Sequence, residues 1–385
     1  MKPLLSSLFS RCLRFSRWLA INLSVCLLLL LVLEGAASTW WTLRRAPPAA
    51  PQLGAVAERQ HTTYDPLLGW SNLPDLTISN MYGVGRHLSI NSHGFRGMDD
   101  LSEGPGPRLI VSGDSFSFGY GVGDEHTWAA ELERLFPGLD VLNMALGGYG
   151  LGQAYLWYRR DGAEIPHDLH IMAFITEDYR RMTRDRFMGY GKPVLTLKDD
   201  RLHVDNVPAP RHRVGEDLLS QWAGRYGDLR LMNLAMETIA ARRAVRAERW
   251  QALRQATALR LFEELHQMHA ASGRTGVLVH LPVKDDYFKG DSDGWRAWLR
   301  AEADRRGWIF IDLVAEYRRL PAERIDELFI ANDDGRYRGA RGHYTEQGNR
   351  MVAHALAHHL TIHPLLAGRL QPCCAPVRHG ARHDS

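Results

Sequence analysis

Among the 385 residues, Gly113-Asp114-Ser115 is the segment best placed for nucleophilic chemistry. A serine hydroxyl attacks poorly until a base takes its proton and donors hold the oxyanion that the attack creates. Ser115 stands just beyond an apolar run, Leu109-Ile110-Val111, where a sharp strand-to-helix turn would expose its oxygen. Gly113, Gly119 and Gly121 let the backbone bend there and come close to a substrate. Little else competes. No metal-ligand spacing, phosphate loop or dinucleotide fingerprint is present, so neither a cofactor nor a metal is expected. The four cysteines are Cys12 and Cys26 near the N-terminus and the adjacent Cys373 and Cys374. Their spacing makes neither a disulfide framework nor a redox motif. Glu177 and Asp178 follow another apolar run and could face a cleft, but their charge suits a solvated loop.

The elements that must position Ser115 follow from hydrophobic periodicity. From Arg108 onward, strands and helices alternate. Leu109-Ile110-Val111, Asp140 to Asn143, and Leu169 to Ile175 read as three strands, the last a continuous apolar run suited to a buried parallel position. Gly276 to Leu281 and Trp308 to Leu313 read as the fourth and fifth. Thr127 is placed to cap a helix through Leu135, with Trp128, Leu132 and Leu135 on one face. Such alternation predicts a parallel sheet covered on both faces. Between the third and fourth strands lies an insertion over 189–272. It begins with a hairpin, Val194 to Lys198, turn Asp199-Asp200, Arg201 to Val204, and continues as helices from Asp217 to Ser272. It is expected to rim the sheet's C-terminal edge, where open α/β sheets bind ligands. Residues 61–107, with short runs such as His87 to Asn91 broken by Gly, Pro and Asn, form an irregular β-rich lead-in.

The formal charge is +3 and 45% of the residues are hydrophobic, enough for a large buried core and too balanced for a nucleic-acid partner. The basic run Arg242 to Arg249 lacks interleaved aromatics and fits a solvated helix face. At the other end, Lys2, Arg11, Arg14 and Arg17 precede an apolar stretch from Trp18 that runs on to Trp40-Trp41. A helix over 18–41 is long enough to cross a hydrocarbon layer of about 30 Å, and the basic excess over 1–17 keeps that end in the cytoplasm. A single-pass inner-membrane anchor with the rest on the periplasmic side is therefore expected. The competing reading is a cleaved signal peptide with Gly35-Ala36-Ala37 as its small-residue site. Residues 42–60 are a Pro- and Ala-rich spacer, and 363–385 a polar tail.

The run Gly113-Asp114-Ser115-Phe116-Ser117-Phe118-Gly119-Tyr120-Gly121-Val122, continuing into Asp124 to Trp128, resembles the first block of the SGNH/GDSL hydrolases. Tyr64 to Trp70 and Asn91 to Gly97 resemble the preamble of exported bacterial members. The resemblance covers residues 61–360. It implies a hydrolase domain over 108–362: a three-layer α/β/α sandwich around a five-stranded, mostly parallel, flavodoxin-like sheet. It also implies ester hydrolysis or acyl transfer through an acyl-serine, with Ser115 as nucleophile. Asn143 to Gly150 matches the second block, whose glycine N–H, here Gly148, joins the N–H of Ser115 at the oxyanion. The third block's asparagine is replaced by Thr176, whose shorter hydroxyl is the expected substitute donor. Gly342-His343-Tyr344-Thr345 resembles the last block, ahead of a helix from Gln347 to Leu360, and makes His343 the base among 18 histidines. The family's aspartate, two or three residues earlier, is absent, since Ala340 and Arg341 stand there. Two readings remain open: Asp334 orients His343 from across an inserted loop, or a backbone carbonyl orients a Ser–His dyad.

The function expected is an extracytoplasmic serine esterase acting on O-acyl, including O-acetyl, esters, with an acylated polysaccharide as the partner its tether would let it meet. One alternative is an O-acyltransferase passing the acyl group to a glycan from a partner protein's donor. Another is a degenerate scaffold or glycan-binding subunit. The sequence names no protein partner.

Overall fold

The computed structural model describes residues 15–32, 35, 60–102, 104, 106–211, 230–331 and 338–366, and no side chains for 230–249 and 338. The chain divides into two units, Met1–Leu53 and Gly54–Ser385. Within the first, Phe15–Val32 is a helix of 18 residues with mean hydropathy 2.0, apolar side chains exposed along its length. By length and composition it can cross a membrane. Cys26 lies exposed on it as a free thiol. Trp40, Trp41, residues 42–59 of the spacer and residues 367–385 of the tail lie outside the described residues.

The second unit is built on five parallel strands: β1 (Arg108–Gly113), β2 (Asp140–Ala145), β3 (Leu169–Phe174), β4 (Thr275–His280) and β5 (Ile309–Asp312). Their spatial order is β5-β4-β3-β1-β2. This is the flavodoxin-like arrangement, in which the chain leaves β1 to one side for β2 and crosses to the other for β3. The crevice at that reversal is where such sheets bind ligands.

Residues alternate between the faces with the period of two that a strand imposes. Leu109 and Val111 of β1, with Ile171, Val277 and Ile309, join a core closed by Trp128 and Leu132 of α2 (Trp128–Leu135) and Val352 and Leu356 of α7 (Glu346–Ile362). Ile110, Met172, Phe174 and Leu278 join the opposite core, closed by Tyr155 and Leu156 of α3 (Leu151–Arg160) and Phe262 and Leu265 of α5 (Arg230–Ser272). Leu299 of α6 (Asp293–Arg306) adds to that layer. The result is a three-layer α/β/α sandwich.

Local signals fix the boundaries. The Thr127 hydroxyl accepts from the Ala130 N–H and caps α2. In the insertion, Val194–Lys198 pairs with Arg201–Asp205 around Asp199-Asp200, both with positive φ (50° and 58°) as a two-residue hairpin loop demands. A shorter hairpin precedes it, Arg186–Phe187 against Tyr190–Gly191. Residues 212–229, where the sequence suggests the first insertion helices, lie outside the described residues.

The lead-in forms two antiparallel pairs, Thr62–Asp65 with Gly69–Asn72 and Leu76–Ile78 with Leu88–Ile90. It ties to the sheet edge through a bridge between Arg96 and Asn143 of β2.

Candidate active site

Ser115 opens a single turn of helix, α1 (Ser115–Phe118), directly after β1. Asp114 makes the bend. Its carboxylate accepts from the Phe116 N–H at 2.9 Å, and its carbonyl accepts from Phe118 N–H. Arg96 then locks the following loop: one nitrogen donates to the Phe118 carbonyl (3.1 Å), another to that of Val122 (2.9 Å), and Nε pairs with Asp124 at 2.6 Å. Asn143 adds a bond to the Ser117 carbonyl, 2.8 Å.

His343 arrives from far along the chain, on a loop joined to Ile330 by reciprocal backbone bonds. Its Nε2 lies 2.7 Å from Ser115 Oγ. Nδ1 lies 3.1 Å from the Ala340 carbonyl. A carbonyl only accepts, so Nδ1 carries the proton and Nε2 is left to accept from the Ser115 hydroxyl. The ring rests between Phe116 (centroids 4.7 Å apart) and Tyr120 (5.6 Å). Gly121 makes the approach possible: at φ +95° it has no Cβ, and one placed there would lie 2.7 Å from Ala340 Cβ.

Among the described residues no carboxylate bonds to His343. Asp334, the first reading's orienting acid, lies outside them. Burial pushes the imidazole down to about 4, opposed by the Ala340 carbonyl and aided by the Arg181 charge. The imidazole is therefore neutral through the whole neutral range.

The N–H groups of Ser115 and Gly148 donate to no backbone acceptor among the described residues. Gly148 sits at φ +79°, and a Cβ would meet Phe187 Cε1 at 2.5 Å. Its turn is pinned from the lead-in: Trp70 Nε1 donates to the Gly147 carbonyl (3.0 Å) and the Tyr149 hydroxyl to the Trp70 carbonyl (2.6 Å). Ser115, Gly147, Gly148 and His343 line one open cavity of about 240 Å³ with Tyr120, Phe187 and Arg181.

Thr176 is not brought to this cavity. It is not among the residues that line it, and its hydroxyl lies 3.0 Å from His280 Nε2, at the ends of β3 and β4. Glu177 meets the expectation of a solvated group, pairing with Arg180 and Arg184. Asp178 does not: it is buried, accepts from the Ile175 N–H at 3.1 Å, and pairs with Arg181 at 3.1 Å. Burial and the neighbouring Asp114 charge push it well up, against the pull of Arg181. Buried Lys192 adds to this cluster, pushed down to about 7 by burial and the Arg181 charge.

Sequence reasoning misses Trp70, Arg96, Ala340 and Arg181. Only Arg181 carries a local cue, its spacing of three from Asp178 in α4 (Thr176–Arg181).

No family model and no curated protein matches the chain. Solved structures do. A member of the lipolytic G-D-S-L family from Veillonella parvula is 13% identical, over 66% of this chain and 98% of its own, with TM-score 0.38. The lipase/acylhydrolase from Enterococcus faecalis is 13% identical, over 70% and 100%, with TM-score 0.37. An acetylxylan esterase from Geobacillus stearothermophilus is 14% identical, over 67% and 95%, with TM-score 0.37. Identity this low fixes no substrate, so the chemistry has to be read from this chain's own atoms.

Proposed function

We propose that this SGNH/GDSL-like chain is a membrane-tethered, extracytoplasmic serine esterase that hydrolyses short O-acyl esters, O-acetyl foremost, on a polysaccharide. The observation that carries this reading is the 2.7 Å approach of Ser115 Oγ to a neutral imidazole nitrogen. Ser115 attacks the ester carbonyl and gives its proton to Nε2 of His343. The carbonyl electron pair moves to oxygen, beside the N–H groups of Ser115 and Gly148. Collapse breaks the bond to the sugar oxygen, which leaves with the His343 proton. Water, deprotonated by the same nitrogen, then attacks the acyl-serine and frees the acid and Ser115.

The preference for a short acyl group is supported by size. A cavity of about 240 Å³ with Tyr120 and Phe187 on its walls holds acetyl more readily than a long chain. The tether supports the location: basic residues before the apolar helix hold that end inside and send the hydrolase domain across the membrane.

Labelling of the full chain in detergent with a fluorophosphonate probe tests the nucleophile. Wild type is expected to label and Ser115→Ala not to. Acetate release from acetylated xylan, without added sugar acceptor, separates hydrolysis from transfer. Equal labelling of both proteins would overturn the assignment of Ser115, and no labelling of either would leave a binding subunit.

A further inference from the structure

The expected oxyanion hole has two backbone donors, the N–H groups of Ser115 and Gly148, and Thr176 does not line the cavity that they share. We propose that the Arg181 guanidinium is a third oxyanion donor. This rests on the serine-esterase reading and adds to it.

Four observations converge. Arg181 lines the same cavity as Ser115, Gly148 and His343. Its fork is half used: Nη1 donates to Tyr149 O (3.1 Å), Asp114 Oδ2 (3.2 Å) and Asp178 Oδ1 (3.1 Å). No described residue accepts from Nε or Nη2, so up to three N–H bonds remain for a ligand. The side chain is fixed rather than swinging, at 14% exposure, with its guanidinium carbon 5.3 Å from the Phe187 ring centre and its Cβ against Gly150. Its anchor is also the right one. The Tyr149 carbonyl belongs to the residue after Gly148, so one turn sets both the backbone donor and the guanidinium.

The charge is held for the purpose. Burial works against it, but Asp178 and Asp114 beside it keep Arg181 above its ordinary basicity. A buried cation next to the nucleophile has two effects. It favours the negative oxygen formed when Ser115 Oγ bonds to the carbonyl carbon, and it disfavours protonation of His343 in the free enzyme, the direction in which it already acts. A ground-state role, gripping a carboxylate of the glycan, uses the same nitrogens but makes a different demand: it would matter only for an anionic substrate.

The test uses the full-length protein and a neutral ester, 4-nitrophenyl acetate. Arg181→Ala would leave two buried carboxylates facing each other and invite unfolding, so the variants are Arg181→Lys and the charge-matched pair Arg181→Gln with Asp178→Asn. Both are expected to lower kcat by about 100- to 1000-fold with KM changed less than threefold. The charge-matched pair should also move the acid limb of kcat/KM to higher pH, because His343 loses a neighbouring cation, and Arg181→Lys should not. Retention of kcat within threefold in a folded charge-matched variant, judged by an unchanged melting profile, overturns the proposal. So does a loss confined to KM on anionic substrates. Failure of wild type to label or to turn over the ester refutes the esterase reading itself, and this assignment with it.

Discussion

The two halves of the site are held in different ways. The nucleophile's half is over-determined: Asp114 caps the turn, Arg96 and Asn143 hold the carbonyls after it, and Trp70 pins the facing glycine turn. The base's half hangs on less. Among the described residues, His343 is aimed by the Ala340 carbonyl at 3.1 Å and by the rings of Phe116 and Tyr120. The difference tracks the chemistry. Oxyanion donors must stay fixed while charge develops, whereas an imidazole that moves a proton between Ser115 and a leaving oxygen needs only its tautomer and its plane.

Damage on the rigid side should therefore cost most. Gly148→Ala puts a methyl group where Phe187 Cε1 stands 2.5 Å away, at a φ of +79° that alanine adopts poorly. The turn must shift, and its N–H moves with it. A kcat lower by about 100- to 1000-fold is expected, the cost of one oxyanion donor, with the protein still folded by circular dichroism. A loss under threefold would show that Gly148 is only a turn residue.

A smaller effect reads the buttress rather than the donor. Trp70→Phe keeps an aromatic ring, deletes the indole N–H that meets the Gly147 carbonyl at 3.0 Å, and shrinks a fully buried side chain. Removing one partner of a buried hydrogen bond costs about 1–3 kcal/mol of stability. The turn also loosens, so kcat for 4-nitrophenyl acetate should fall by about tenfold, the factor that corresponds to 1.4 kcal/mol. Calorimetry and initial rates on the same sample check both. A drop in melting temperature with kcat unchanged would mean that Trp70 holds the fold and not the site.

This buttress marks where sequence reading stops. The strands are legible because each is an apolar run, and the Thr127 cap and the Asp199-Asp200 turn because their chemistry is local. The bond from Trp70 to Gly147 spans 77 positions, and the Arg96 bonds join the lead-in to a loop more than twenty residues on. Neither leaves a period or a motif. The 61–107 segment therefore reads as an irregular preface, although Trp70 and Arg96 within it brace the turns that carry the site. Asp178 misleads for a related reason: its charge suggests water, but its partners are the Ile175 N–H and Arg181, both visible only once the chain is folded. For Thr176, position in a motif does not reveal the partner of a short side chain, and the contact of its hydroxyl with His280 spans 104 positions.

The least disruptive change bears on the weaker half. If the Ala340 carbonyl is the group that fixes the His343 tautomer, Asp334→Asn should leave kcat within about threefold, against the roughly 10⁴-fold loss that results when a triad aspartate becomes asparagine. The pH profile sharpens the same point. A paired carboxylate would stabilise the imidazolium and lift the base, whereas burial, opposed by the Ala340 carbonyl, pushes His343 down to about 4. His343 is lowered, so the neutral, active form persists as pH falls and is lost only on approaching that value. The acid limb of kcat/KM is expected near pH 4 in both wild type and Asp334→Asn. A limb near neutrality in wild type that drops on substitution would transfer the orienting role from Ala340 to Asp334, and the two halves of the site would then be equally built.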